Sequence, residues 1–270
     1  MGELLPISTA HCRVERDDHV LTLTMDRPEA RNALSPDMLV GLADGFSYVD
    51  ETPDVRVAIL TGAGGHFSSG ADLKAMSTPS EDPHVRGRMA EETDLHWKAL
   101  LRDYRMSKPL IAAVEGYAVA GGTEMLQGTD LRVAGESATF GVWEAKRGLF
   151  PLGGSAVRLP RQIAYTHAME ILLACQPVSA SRALEIGLIG HVVPDGQALV
   201  KARELADQVA QCAPLSTQAI LRAWRHTEWM TEADAMAIQD EIGWEVFASE
   251  DAQEGPLAFK EKRTPEYRGR

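Results

Sequence analysis

Two glutamates, Glu124 and Glu144, stand near tight turns, and those turns are where chemistry is easiest to place. Residues 64–76 read GGHFSSGADLKAM directly after VRVAILTG (Val55–Gly62), an apolar run that predicts a buried strand. Leaving a buried strand through Gly, Ser and Ala suits a place where backbone must approach something closely. GYAVAGGTEM (Gly116–Met125) repeats the device after the apolar run from Lys108, and FGVWEAKRGLFPLGG (Phe140–Gly154) carries a third tight turn. In the first two, small residues precede what reads as a helix start, where N–H groups are unpaired and the helix dipole is positive. Two such N–H groups aimed at one oxygen make an oxyanion hole, and only tiny side chains let a carbonyl reach them.

A Glu three residues into a helix ordinarily caps it or complements its dipole, which is the plain reading of Glu124. Glu144, beside Trp143, is ordinarily solvated or ion-paired. If both face one cleft, repulsion keeps one protonated near neutral pH. Such a pair donates a proton with one member and accepts with the other. No spacing in the sequence brings them together.

The elements that must position these residues alternate. HVLTLTMD (His19–Asp26) predicts a half-buried strand, and SPDMLVGLADGFSYVD (Ser35–Asp50) a helix with Ser35 as N-cap and Pro36 at the first turn. Met38, Leu39, Leu42, Phe46 and Val49 recur at helical spacing before the next strand, so the order is that of an α/β unit. Residues 77–106 open with Pro and acidic residues and continue as a helical pattern through Met89, Leu95, Leu100 and Leu101. Asp130–Gly141 predicts one or two short strands; Ala164–Cys175 and Ser179–Gly187 predict helices. From Lys201 the pattern is helical, with a break at Pro214. The division is an α/β body over residues 1–200 and a helical region over 201–270.

A net charge of −12 argues against nucleic acid as the main partner, so any anionic ligand must be met locally. Positive charge gathers at Arg27 and Arg31 and in KEKRTPEYRGR (Lys260–Arg270), a stretch that otherwise reads as a solvated end. No apolar run is long enough to span a bilayer, and MGELLPISTAHC lacks the features of a secretory signal. Cys12, Cys175 and Cys212 are far apart and suit a reducing cytoplasm, where we place the protein. GAGGHF misses the dinucleotide fingerprint because Phe67 replaces its third Gly; there is no P-loop, nucleophile elbow or HExxH. His66 reads as a polar turn residue, and the expectation is of no metal and no redox cofactor.

These segments together resemble the enoyl-CoA hydratase/isomerase (crotonase) family. The likeness runs from RPEARNALS through AILTG, HFSSGADL, KPLIAAVEGYAVAGGTE, DLRVAGESATFG and RGLFPLGG to the basic C-terminus, and AAVEGYAVAGGTE with FSSGADL upstream is its most specific part. The resemblance implies an α/β spiral of ββα units with a helical C-terminal region that drives trimers, commonly paired into hexamers. It implies a trans-2-enoyl-CoA substrate hydrated to a 3-hydroxyacyl-CoA. The family's oxyanion donors fall on the N–H groups of Ala71 and Gly121, and its catalytic glutamates on Glu124 and Glu144. Coenzyme A, entering as part of the thioester, would meet Arg27, Arg31, Ser69, Asp72 and Lys74, with Lys260 and Lys262 reaching from a neighbouring subunit's tail. The acyl end would meet Met76, Met89, Trp97 and Met106, and also Trp143 and Leu152. Trp143 stands where hydratases often have Pro, and Leu152 where many have Gly, which reshapes the pocket. Fatty, branched and sterol side-chain thioesters all remain open. The alternatives are another enolate-forming reaction, such as Δ3-Δ2 isomerisation or C–C hydrolysis, and a non-catalytic acyl-CoA binding protein; retention of both glutamates weighs against them.

Overall fold

The computed structural model describes residues 2–72, 75 and 79–270. A short β1 (Glu3–Leu4) pairs with β2 (Cys12–Asp17), which forms a hairpin with β3 (Val20–Met25). Pairing of Asp17 with Val20 leaves Asp18 and His19 as the turn, and Asp18 takes the left-handed conformation (φ 54°) that Asp tolerates. The sequence pattern did not reveal β2: its buried residues are Cys12 and Val14 alone, diluted among Arg13, Glu15 and Arg16.

Helix α1 (Pro36–Glu51) starts as its sequence dictates, with the Ser35 hydroxyl accepting the Met38 N–H at 3.3 Å. It buries Met38, Leu42, Phe46 and Val49 and delivers the chain to β4 (Val57–Gly62). The single helical pattern expected through Leu101 is two helices, α2 (Pro83–Glu91) and α3 (Leu95–Ala99). Glu92 is extended between them, and Leu101 turns left-handed at φ 55°.

Then comes a repeated unit: β5 (Leu110–Val114), β6 (Tyr117–Val119) and α4 (Gly121–Leu126), followed by β7 (Leu131–Gly135) and β8 (Thr139–Gly141). After α5 (Ser155–Gln162) and α6 (Tyr165–Leu173) the chain adds β9 (Val178–Ser179), α7 (Ala180–Glu185) and β10 (His191–Val193). The main sheet runs β1-β2-β3-β4-β5-β7-β10, parallel from β3 onward; β6, β8 and β9 form the second sheet. From β5 onward each pass lays one strand in each sheet, which is the expected spiral.

The two faces of the main sheet are read by the two-residue strand period. Ala58 and Leu60 join the large core that also holds Phe46, Phe67 and Phe140. Val57, Ile59, Ile111 and Val133 point the other way, onto Ala198, Ala202 and Ala206 of α8 (Ala198–Ala210). Alanines four apart make a smooth stripe, so helix and sheet pack closely, and each buried Val or Ile contributes about 1.5–3 kcal/mol. The division expected at residue 200 falls within this helix. Beyond it, α9 (Pro214–Thr227) starts at the predicted break, α10 (Glu232–Phe247) packs on α9, and α11 (Glu250–Glu261) follows. Arg56 ties this end to the body, donating to the carbonyls of Ala210 (2.8 Å) and Tyr267 (2.7 Å).

Candidate active site

The small residues after β4 are explained by what lies on both sides of them. Phe67 and Ser68 donate their N–H groups to the Glu115 and Tyr117 carbonyls at 2.8 and 2.9 Å, and Val119 N–H returns to Ser68 at 3.0 Å. On the other side, Ser69 N–H meets the Arg31 carbonyl at 3.0 Å, and Leu34 N–H meets the Gly70 carbonyl at 2.8 Å. The segment is therefore clamped between the 31–34 turn and β6. Gly70 has φ +87°, and a Cβ there would stand 2.9 Å from the Gly121 nitrogen and 2.9 Å from the Ala120 Cβ. A Cβ on Gly122 would stand 2.6 Å from the Ser68 carbonyl. The two glycine turns touch backbone to backbone, and no larger residue fits.

Gly121 is the first residue of α4, held by Ala120 in an unusual conformation (φ 51°, ψ −125°) whose N–H donates to Gly141 at 2.8 Å. Thr123 fixes the same corner: its hydroxyl lies 2.5 Å from the Ala118 carbonyl and 3.1 Å from that of Gly141. Among the described residues, neither the Ala71 N–H nor the Gly121 N–H meets an acceptor. Leu34 and Leu100 wall the spot with apolar carbon, 3.4 and 3.5 Å from where a Gly121 Cβ would be.

One turn into α4, Glu124 is buried. Its Oε1 accepts the Ser155 N–H at 3.2 Å, and the Gly153 and Gly154 N–H groups also face it. A Cβ on Gly153 would come within 2.5 Å of Oε2, so this glycine lets the start of α5 close on the carboxylate. Burial pushes the Glu124 carboxyl up, the N–H donors oppose this, and the charge of Glu144 pushes it further up. Glu144 leaves β8 at the head of a single 3-10 turn (Ala145–Arg147). It is partly buried, and its Oε2 has no partner among the described residues. Burial raises this carboxyl too, against the N–H groups of Glu144 and Trp143 and the charge of Arg147. Twenty residues apart in sequence, the two carboxyl groups lie within electrostatic reach of each other. The 153–155 turn that seats Glu124 was not foreseen, although the GGS sequence ahead of an amphipathic stretch is the signal for it.

A family model described as enoyl-CoA hydratase/isomerase matches residues 15–270. The chain belongs to this family. Among curated proteins it is 55% identical to enoyl-CoA hydratase EchA19 of Mycobacterium tuberculosis, covering 95% of this chain and 96% of that protein. It is 38% identical to (E)-benzylidenesuccinyl-CoA hydratase of Thauera aromatica, over 95% and 98% of the two chains. The crystal structure of an enoyl-CoA hydratase from Mycobacterium tuberculosis superposes with a TM-score of 0.87 at 38% identity, covering 96% of this chain and 99% of that one. The fold is that of the hydratase family, and the protein is an enzyme of the hydro-lyase kind.

The remaining expected residues divide unevenly around this family site. Asp72 is ion-paired with Arg27, and its carboxylate also accepts the Ala75 N–H at 2.9 Å. The Ser69 hydroxyl donates to the Ala30 carbonyl at 3.2 Å. Arg31 lies 5.4 Å from the Tyr117 ring centre, and His66 stacks on the same ring while its Nδ1 accepts the Tyr117 N–H. Lys74 and Met76 lie outside the described residues. Lys260 and Lys262 are exposed at the end of α11. Other cations of the tail are paired on their own helix: Arg263 with Glu254 and Glu261, Arg270 with Glu250.

Toward the acyl end, Met89 is half-buried against the core, and Trp97 lies under the Arg102 guanidinium at 4.3 Å. Met106, 2% exposed, belongs to the main core. Trp143 folds back over Gly141, where a Cβ would sit 2.4 Å from the indole nitrogen. Leu152 is exposed beside Leu149 and Phe150. Among the described residues no helix is long and apolar enough to cross a membrane.

Proposed function

We propose that the protein is an enoyl-CoA hydratase that adds water across the C2–C3 double bond of a trans-2-enoyl-CoA to give a 3-hydroxyacyl-CoA. The observation that carries this is that the Ala71 and Gly121 N–H groups have no acceptor among the described residues, while Glu124, on the same helix as Gly121, lies within reach of the Glu144 charge. The thioester oxygen sits between the N–H groups. As water adds at C3, electrons move onto that oxygen, and each donor stabilises the enolate-like charge by about 3 kcal/mol.

The two carboxyl groups divide the proton traffic. Glu124 receives N–H donors on its carboxylate, which favours its ionised form, and takes the proton of the attacking water. Glu144, partly buried and with Oε2 unpartnered among the described residues, holds a proton and delivers it to C2. Water thereby supplies the hydroxyl at C3, C2 gains one proton, and the proton left on Glu124 returns to solvent or to Glu144. The scheme calls on no metal and no redox group. Two opposed carboxyl groups favour hydration over double-bond migration, which requires a single group to carry one proton between carbons.

Coenzyme A binds along the Arg27–Asp72 edge of the first turn, and Lys260 and Lys262 approach it from a neighbouring copy in a cytoplasmic homotrimer or a hexamer of paired trimers. Supporting the assembly, α9 to α11 expose Trp224, Trp244, Phe247 and Phe259, more apolar surface than a lone helical arm keeps in water. The test is a panel of trans-2-enoyl-CoA thioesters of increasing length and branching, followed by loss of enoyl absorbance. Hydration of at least one member, abolished in Glu124→Gln, supports the reading; double-bond migration without hydration overturns it.

A further inference from the structure

Away from the catalytic cleft, a cavity of about 780 Å³ opens between α5, α9 and the start of β7. None of Ala71, Gly121, Glu124 or Glu144 lines it. Its wall gathers Arg102, Arg105, Arg132, Arg158, Arg161 and Arg225, against only two carboxylates, Asp130 and Glu228. In a chain of net charge −12, a pocket lined by six cations and two carboxylates is the reverse of the general surface.

Existing contacts orient these groups and cancel their charge only in part; Arg102 pairs with Asp103 at 3.5 Å. Arg225 pairs with Asp130 at 3.0 Å and also reaches the Met106 carbonyl. Arg132 donates to the carbonyls of Leu188, Gln127 and Thr129. Arg158, only 8% exposed, donates to the carbonyls of Leu101 and Arg102, and its Nη1 has no acceptor among the described residues. Arg105 has neither a hydrogen bond nor an ion pair among the described residues, and Arg161 rests on the Trp229 ring at 3.8 Å. Burial holds the Arg132 and Arg158 guanidinium groups down to about 10, and repulsion from Arg105 acts in the same direction on both. Carbonyl oxygens accept hydrogen bonds but bring no net negative charge, and the carboxylates that oppose the repulsion, Asp130 on Arg132 and Asp103 and Glu228 on Arg158, number fewer than the cations of the wall.

We propose that this cavity binds an oxyanion carrying two or more negative charges, of the pyrophosphate or phosphate-ester kind, at a site separate from the catalytic cleft. Guanidinium forks match such oxygens two at a time, and several forks around one space suit a multiply charged group better than a single carboxylate. The cavity is large enough for either a free polyphosphate or the phosphates of a nucleotide.

The test titrates the intact protein with inorganic pyrophosphate by calorimetry, with parallel titrations of ADP and adenosine to separate free from nucleotide-borne phosphate. Arg105→Gln combined with Arg161→Gln removes two exposed cations without touching the catalytic groups. The expected result is a dissociation constant at least tenfold weaker in the double variant, with hydration kcat/KM unchanged within twofold. Several results overturn the proposal: no binding at millimolar pyrophosphate, equal affinity in the double variant, or an assembly structure in which acidic side chains of a second copy fill the cavity.

Discussion

Glu144→Gln separates what the site needs from what the fold prefers. In the native protein a carboxyl group sits partly buried with Oε2 unpartnered and its proton affinity raised by burial. A folded-state pKa above the unfolded value means that the folded chain binds more protons within the window between the two. Stability therefore falls as pH rises through that window, and the full cost is present above the folded pKa. Gln cannot ionise, so it removes the cost above the window and changes little below it. Gln leaves an uncharged polar group in the same place, so what it removes is the desolvation of the charged form, about 1 kcal/mol for a partly exposed side chain. For a chain of this size that corresponds to about 2–4 °C in Tm. The same substitution removes the proton donor and lowers kcat/KM on the order of 10²–10⁴-fold. Thermal melts at pH 8 and pH 4, with hydration kinetics on the best enoyl-CoA, give both numbers. A variant that turns over like the parent, or that loses stability equally at both pH values, refutes the reasoning.

Other consequences are equally direct. The acid limb of kcat/KM for hydration reflects Glu124 becoming protonated, and because burial raises its carboxyl, that limb lies above the ordinary carboxylate range in a pH–rate profile. Gly70→Ala places a Cβ 2.9 Å from the Gly121 nitrogen at a φ of +87°, so it costs about 1–3 kcal/mol by chemical denaturation and suppresses turnover by displacing an oxyanion donor. Ser35→Ala removes the cap of α1 and lowers stability by about 1 kcal/mol, while hydration kinetics stay at parent values. Ala202→Leu forces a large side chain between α8 and the main sheet and costs about 1–3 kcal/mol in a urea melt.

The strands and helices whose apolar residues repeat cleanly were legible in the sequence. Ser35 and Pro36 mark the start of α1, and VRVAILTG is a strand because both faces of β4 are buried. Strand β2 escaped notice because it lies near the sheet edge with charged residues on its outer face, so only alternate positions carry a signal. The break between α2 and α3 lies in backbone angles at Glu92, which residue type does not specify. At the site, the glycine turns announce close approach but not the partner. That Gly70 abuts Gly121, and that the 153–155 turn closes on Glu124, follow from long-range packing which no local pattern encodes. Family likeness supplied the expected roles of Ala71, Gly121, Glu124 and Glu144; the fold supplies their proximity.

The most direct measurement is a crystal structure with a 3-hydroxyacyl-CoA or an unreactive enoyl-CoA analogue bound. The hydratase reading requires the thioester oxygen within about 2.7–3.1 Å of both the Ala71 and Gly121 nitrogens, with the Glu124 and Glu144 carboxyl groups flanking C2 and C3. A thioester oxygen held elsewhere, or a carboxyl pair turned away from the acyl carbons, contradicts it.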